Sequence, residues 1–249
     1  MLTKSKIKFI KSLQVKKYRK QEQSFVIEGA KSVQELLRSN FEVTWVAGTA
    51  EFLQSQNTKL RAKGVETAEA SEGELASLGT FQTNDAAIAV AKMKPNVPPV
   101  LKNEFCLVLD DLRDPGNVGT IVRTADWYGI KNIVASMETA DLYNPKSISA
   151  SMGSFCRVNL FYTDLPAFLS RAGLPVFGAF MDGSDIHQVK FGQRGLIVIG
   201  NESNGISAAV AQLVQHRVTI PRVGGAESLN AAIATGIILD NLTQKKEPL

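Results

Sequence analysis

Histidine is nearly missing from this sequence. His187 and His216 are its two copies, and neither falls in the polar loops described below, so neither a histidine general base nor a histidine-rich metal centre is expected. Both read as structural or surface residues, and no metal is assigned. Cysteine is equally scarce. Cys106 and Cys156 sit in apolar stretches without metal-type spacing and read as small core residues rather than a disulfide pair or a nucleophile. Long apolar runs are absent too: no stretch approaches the roughly 18–20 residues of a membrane span, and Met1-Leu2-Thr3-Lys4 leads into charge rather than a signal-peptide core. A cytoplasmic protein without membrane contact is expected. The glycines form neither a P-loop nor a dinucleotide fingerprint, since no G-x-x-x-x-G-K-S/T occurs and no strand is followed by G-x-G-x-x-G.

Acid is absent from the first twenty residues. Lys4, Lys6, Lys8, Lys11, Lys16, Lys17, Arg19 and Lys20 stand there alone, whereas the rest of the chain carries 20 basic and 24 acidic side chains. A basic arm on a mildly acidic body points to a polyanion, because each neutralised phosphate releases counterions. The competing reading is a solvated amphipathic helix that buries Ile7, Ile10 and Leu13.

With 249 residues and 44% hydrophobic content, the chain can bury a sizeable core in one large or two modest domains. Strand patterns at Ser24 to Glu28, Val43 to Ala47, Val65 to Ala68 and Ala86 to Ala91 alternate with helical ones at Ala30 to Leu37, Phe52 to Ala62 and Glu72 to Leu78. This predicts a small α/β domain over residues 1–93. Three prolines within Pro95 to Pro99 break both periodicities, which places a linker at 94–104. From Phe105 to the end at 249, at least five strand and helix alternations predict a mostly parallel sheet covered on both faces. The last helix, Leu229 to Leu242, has little polar face, so it packs on its own sheet, on a partner subunit or on both; a homodimer is the simpler expectation.

Three junctions in this second part are polar where an apolar run meets a helix: Asp114-Pro115-Gly116-Asn117-Val118-Gly119 leading to Arg123, Gly200-Asn201-Glu202-Ser203-Asn204-Gly205, and Glu227-Ser228-Leu229-Asn230 after Ile220-Pro221. In an open α/β sheet, loops at the carboxyl ends of strands bind ligands. Each residue also has an ordinary reading: Asn117 and Ser228 as helix caps, Glu202 as an N-terminal helix charge, Arg123 as a surface ion pair. Three polar loops together make that explanation less economical.

In order and spacing these motifs resemble those of the SpoU/TrmH-type RNA 2′-O-ribose methyltransferases of the SPOUT superfamily, over roughly Phe105 to Leu242. Lys17-Tyr18-Arg19-Lys20 and Phe25-Val26-Ile27-Glu28-Gly29 are similar to the family's L30e-like RNA-binding domain, although its Thr-x-x-Pro-Gln-Gly segment reads Gln82-Thr83-Asn84-Asp85-Ala86-Ala87 here. The resemblance implies an N-terminal L30e-like α/β domain and a C-terminal α/β-knot domain, a deep trefoil knot with a mostly parallel sheet. It implies S-adenosylmethionine as cofactor, held by backbone around Gly200, Ile220 and Leu229 with Ala179 nearby. RNA is the implied partner, ribosomal rather than transfer RNA, contacted through Lys16, Lys17, Arg19 and Lys20.

The family assigns activation of the 2′-hydroxyl to the arginine matching Arg123. A guanidinium with a pKa above about 12 is a poor base. Arg123 is therefore expected to bind the adjacent phosphate and stabilise the developing alkoxide, with the proton passing to that phosphate or to water. Asn117, Ser228 and Asn230 would orient ribose, arginine and methyl donor, and Glu202 would position Arg123 or the nucleotide. A catalytically inactive RNA-binding protein of the same fold is the alternative. A nucleotide-dependent oxidoreductase is weaker, because the glycine fingerprint is missing.

Overall fold

A computed structural model describes residues 2–80 and 86–244; Phe81 to Asp85, which include most of the divergent Gln82 to Ala87 segment, lie outside them. The chain divides into two compact units. One comprises residues 1–95 with 141–157, the other 96–140 with 158–249.

The first unit is built on a four-stranded sheet. Its strands are β1 (Ser24–Glu28), β2 (Val43–Gly48), β3 (Glu66–Glu69) and β4 (Ala87–Lys92), ordered β1-β4-β2-β3. β4 runs antiparallel to both neighbours, and β2 and β3 are parallel. The period of two in a strand sends Val26, Trp45, Ala47, Ile88 and Val90 to one face. There they pack with Ile10 and Leu13 from α1 (Lys4–Ser12) and its C-terminal end, and with Leu75 and Leu78 from α5 (Glu72–Leu78). Local chemistry sets both helices: Thr3 caps α1, and Ser71 with Glu74 forms a reciprocal capping box on α5. α2 (Lys16–Glu22) follows α1 directly, while α3 (Ala30–Arg38) and α4 (Ala50–Ala62) complete the alternation.

Segment 141–157 belongs to this unit although it comes between two strands of the other. It carries α7 (Pro145–Ser151) and a 3₁₀ turn at Ser154–Cys156. Phe25 anchors it, with ring centroids 4.5 Å from Tyr143 and 5.9 Å from Phe155. Such aromatic pairs stabilise by about 0.5–1.5 kcal/mol beyond area burial. Burial pushes the Tyr143 hydroxyl up to about 12 and the Cys156 thiol up to about 11.

The second unit is a six-stranded sheet in which every pair is parallel. Its strands are β5 (Phe105–Leu109), β6 (Asn132–Ala135), β7 (Asn159–Tyr162), β8 (Val176–Asp185), β9 (Gly195–Ile199) and β10 (His216–Thr219), ordered β10-β8-β9-β5-β6-β7. β5 and β9 are buried along their whole length and lie in register from Phe105 opposite Gly195 to Leu109 opposite Ile199. Continuous apolar runs suit such central parallel strands. From β5 the chain moves outward through β6 and β7, then crosses to β8 beyond β9, so the order reverses beside β5. Ligands occupy that switch point in open α/β sheets.

Three helices frame it: α6 (Pro115–Trp127), the short α9 (Ala208–Ala211) and α10 (Ala231–Gln244), with α8 (Leu165–Arg171) beside α9. α6 buries Val118, Ile121, Val122 and Ala125 at helical spacing, and α10 buries Ala231, Ala232, Thr235, Ile238, Leu239 and Leu242. Among the described residues, no helix is long and apolar enough to cross a membrane.

Candidate active site

The carboxyl ends of β5 and β9 bring two of the polar loops side by side. Asp110 donates its backbone N–H to the Ile199 carbonyl at 2.9 Å, and its buried carboxylate accepts from Ser207 N at 2.7 Å. The next residue, Asp111, is left-handed at φ 56, an uncommon conformation for a side chain other than glycine. Its carbonyl accepts from Asn201 Nδ2 at 2.7 Å, while Asn201 Oδ1 accepts from Ser203 N and Asn204 N at 2.9 and 3.1 Å. Asn201 and Gly205 close the turn through paired backbone bonds. At Gly200 a Cβ would lie 2.3 Å from both Gly205 C and Ile206 N, so the fold-back requires glycine.

This scaffold sets Glu202 against α6. Asp114 caps that helix by accepting from Asn117 N at 2.9 Å, with Pro115 at the first position. The cap is therefore Asp114, which leaves the Asn117 side chain for other use. Asn117 Nδ2 donates to Glu202 Oε1 at 2.6 Å, and Asn117 Oδ1 accepts from Asn230 Nδ2 at 3.0 Å. Asn230 Oδ1 accepts from Ala232 N and Ile233 N, capping α10. One asparagine thus joins all three motif loops. The order of donors also fixes the amide orientations, because the carboxylate can only accept.

Arg123 and Ser228 are not drawn into this network. Arg123 lies six positions after Asn117, about 9 Å along the helix and well around it. Arg123 is exposed and makes no hydrogen bond or ion pair among the described residues. Ser228 lies in the wholly exposed stretch 221–230. His187 instead faces Asn241 at 3.0 Å, and His216 stacks on Phe177.

At the β8 and β10 edge an open cleft of about 550 Å³ is lined by Met181, Thr219, Ile220, Pro221, Arg222 and Glu227. An irregularity in register makes it: Arg217 pairs with Gly178 but Val218 with Ser184, so residues 179–183 of β8 depart from the ladder. Thr219 Oγ1 donates to Met181 O at 3.2 Å, and Arg217 lies over the Phe180 ring and pairs with Asp182 at 2.6 Å. That hydrogen bond holds the Asp182 carboxyl below its ordinary value. Of the predicted cofactor positions, Ile220 lines the cleft and Ala179 lies in the departing segment; Gly200 follows directly after β9, and Leu229 is exposed next to Asn230. The size lies within the range of small-molecule sites, and mixed apolar and polar walls suit a nucleoside carrying an amino-acid tail.

Comparison with known proteins settles the relationship. The model of the SpoU rRNA methylase family matches residues 104–240. The chain belongs to the SpoU rRNA methylase family. An MRM3-like substrate binding domain matches residues 4–89. The Bacillus subtilis 23S rRNA (guanosine(2553)-2′-O)-methyltransferase RlmP is 30% identical over 95% of both chains. Among solved structures, a TrmH-family protein from Porphyromonas gingivalis is 37% identical, covers 99% of this chain and 100% of its own, and has a TM-score of 0.90. An AdoMet-bound rRNA methyltransferase from Sinorhizobium meliloti is 28% identical, covers 100% and 97%, and has a TM-score of 0.89.

For the basic arm, the structure separates residues that the sequence groups together. Lys16, Lys17 and Lys20 are exposed. Arg19 is 1% exposed: its Nη1 donates to Leu13 O and Gln14 O at 3.0 and 2.8 Å, and its Nη2 pairs with Asp141 at 2.7 Å. It satisfies carbonyls at the end of α1, a structural task that withdraws it from contact with RNA. Reasoning from sequence also missed Asp110, Asp111 and Asn201 as supports of the Glu202 loop. Two acids placed directly after an apolar strand were the available signal.

Proposed function

We propose that this protein transfers the methyl group of S-adenosylmethionine to a ribose 2′-hydroxyl of ribosomal RNA. The observation that carries the reading is the hydrogen-bonded chain Glu202–Asn117–Asn230, which unites the three polar motifs at the strand ends. Ribosomal RNA is favoured over transfer RNA by the Bacillus relative, a 23S rRNA methyltransferase, and by the match to the SpoU rRNA methylase family.

When bound, S-adenosylmethionine supplies a methyl group activated on a positively charged sulfur. The cleft at Met181, Ile220 and Glu227 suits it, with backbone near Ala179, Gly200, Ile220 and Leu229 as further holding groups. Arg123, exposed and unpaired among the described residues, binds the phosphate next to the target ribose and stabilises negative charge growing on the 2′-oxygen. The hydroxyl proton passes to that phosphate or to water, since guanidinium cannot accept it. Asn117 and Asn230 hold the ribose, Glu202 fixes Asn117, and Ser228 orients the methyl donor from its exposed loop. Orientation of this kind can supply up to about 7–11 kcal/mol of the barrier.

In this reading residues 1–93, with which 141–157 folds as one compact unit, form an L30e-like RNA substrate-binding domain, 94–104 a linker and the rest of 105–249 the methyltransferase domain, whose last strand and helix thread a loop of the chain as a trefoil knot. A homodimer pairs through α6 and α10, where Trp127 and Ile233 are 84% and 56% exposed. Mapping ribose methylation in ribosomal RNA from cells with and without the protein tests the function. One 2′-O-methyl group should vanish with the gene and return with the wild-type copy but not with Arg123→Ala; an unchanged map refutes the proposal.

A further inference from the structure

The cleft at the β8 and β10 edge has one cation and one carboxylate in its walls, Arg222 and Glu227. Both stand on the exposed loop 221–230, yet they form no ion pair with each other among the described residues. Arg222 Nη1 donates instead to Ala226 O at 3.1 Å, which closes the turn through Gly224 and Gly225 and uses one of the five guanidinium donors. Its remaining donors have no partner among the described residues, and neither has the Glu227 carboxylate. The neighbouring pair differs. Arg217 closes on Asp182 at 2.6 Å and lies over the Phe180 ring, so both of its charges are satisfied. Thr219 Oγ1 is likewise engaged, by Met181 O at 3.2 Å. What the cleft leaves to a ligand is an apolar wall of Met181, Ile220 and Pro221 together with a separated cation and anion.

Opposite charges that line one cleft without pairing complement a ligand that is itself a zwitterion. The methyl donor ends in one. Its α-carboxylate matches the planar fork of a guanidinium, and its α-ammonium donates to a carboxylate. We propose that Arg222 and Glu227 recognise the amino-acid tail of the cofactor, Arg222 its carboxylate and Glu227 its ammonium, and so set the preference for S-adenosylmethionine over nucleosides without that tail. This rests on the placement of the cofactor in the cleft given above and adds the side chains that discriminate. The same loop runs on through Ser228 to Asn230, which bonds Asn117 at 3.0 Å, so a bound tail also restrains the loop that leads into the candidate active site.

The test is calorimetry on the full chain with S-adenosylmethionine, its decarboxylated form, S-adenosylhomocysteine, and 5′-methylthioadenosine, which lacks the tail. Wild-type protein should bind S-adenosylhomocysteine at least about tenfold more tightly than 5′-methylthioadenosine, because two charge-assisted contacts are lost together in a site open to water. Arg222→Gln should weaken S-adenosylmethionine by about 5- to 20-fold and leave 5′-methylthioadenosine within about twofold, a split that a merely disturbed loop would not give. Decarboxylating the ligand should cost wild type a similar factor and Arg222→Gln almost nothing, since both changes delete the same contact. Glu227→Gln should also weaken S-adenosylmethionine and spare 5′-methylthioadenosine. Three results overturn the proposal: wild type binding 5′-methylthioadenosine as tightly as S-adenosylhomocysteine, Arg222→Gln weakening both by one factor, or decarboxylation costing Arg222→Gln as much as wild type. In each of these the cofactor still binds and the catalytic reading stands. Wild-type protein that binds none of the compounds overturns both.

Discussion

Asn117 makes two side-chain bonds that join three loops, so its removal tests whether the site works as a unit. Asn117→Ala deletes the 2.6 Å bond to Glu202 and the 3.0 Å bond from Asn230. A hydrogen bond to a charged group contributes about 1.5–3 kcal/mol and a neutral one about 0.5–1.5. Glu202 is only partly buried, which favours the lower values, so a loss of about 2 kcal/mol is expected, or roughly thirtyfold in single-turnover methyl transfer at saturating RNA and cofactor. Glu202→Ala should cost a similar factor, because it frees the same asparagine. The double variant should then lose little more than either single one, since residues of one network are not additive. Multiplied losses in the double variant would refute the coupling. Asn117→Asp should be harsher than Asn117→Ala, because it replaces a donor with a second carboxylate against Glu202.

Arg123→Ala should lower the single-turnover rate by about a hundredfold or more, as removal of an oxyanion donor does, with little change in cofactor affinity by calorimetry, and Arg123→Lys should rescue poorly because a point charge lacks the planar fork. A near-normal rate would remove Arg123 from the mechanism. Gly200→Ala places a Cβ 2.3 Å from two backbone atoms and should cost about 3 kcal/mol, read as a drop of about 6–12 °C in melting temperature; Gly224→Ala, with open space around it, should melt like wild type. Tyr143 and Cys156 are raised to about 12 and about 11 from ordinary values of 10.0 and 9.0. Their protonated forms favour the fold below pH 9, and that stabilisation fades as pH rises from about 9 to 12, because the unfolded chain loses these protons first. The Tyr143 difference corresponds to about 3 kcal/mol, so Tyr143→Phe should flatten the upper part of a melt-against-pH profile; an unchanged slope between pH 10 and 12 contradicts this.

Much of the architecture was legible because the two periodicities are local. Glu72–Leu78 forms the helix expected there, Ser24–Glu28 forms the strand, and α6 buries the stripe Val118, Ile121, Val122 and Ala125. Segment 141–157 was not legible. Tyr143, Ile148 and Phe155 are apolar at any register, and only the position of Phe25 in space decides which sheet they cover. Arg19 illustrates the same limit from the other side: a cation in a basic run looks like its neighbours until the carboxylate 122 positions away is found beside it. At the site, residue types and spacing marked Asn117, Glu202 and Asn230. Their mutual bonding required strand order, because β5 and β9 become neighbours only through a crossover.

The most direct test of the central claim is chemical. Purified protein is incubated with ribosomal RNA and methyl-labelled S-adenosylmethionine in the presence of a chelator, and the RNA is digested to nucleosides for mass spectrometry. The account predicts label on a ribose 2′-oxygen at one position, lost when that nucleotide is 2′-deoxy and unaffected by chelation. Label on a base, or no transfer by a protein that binds both RNA and cofactor, would contradict it.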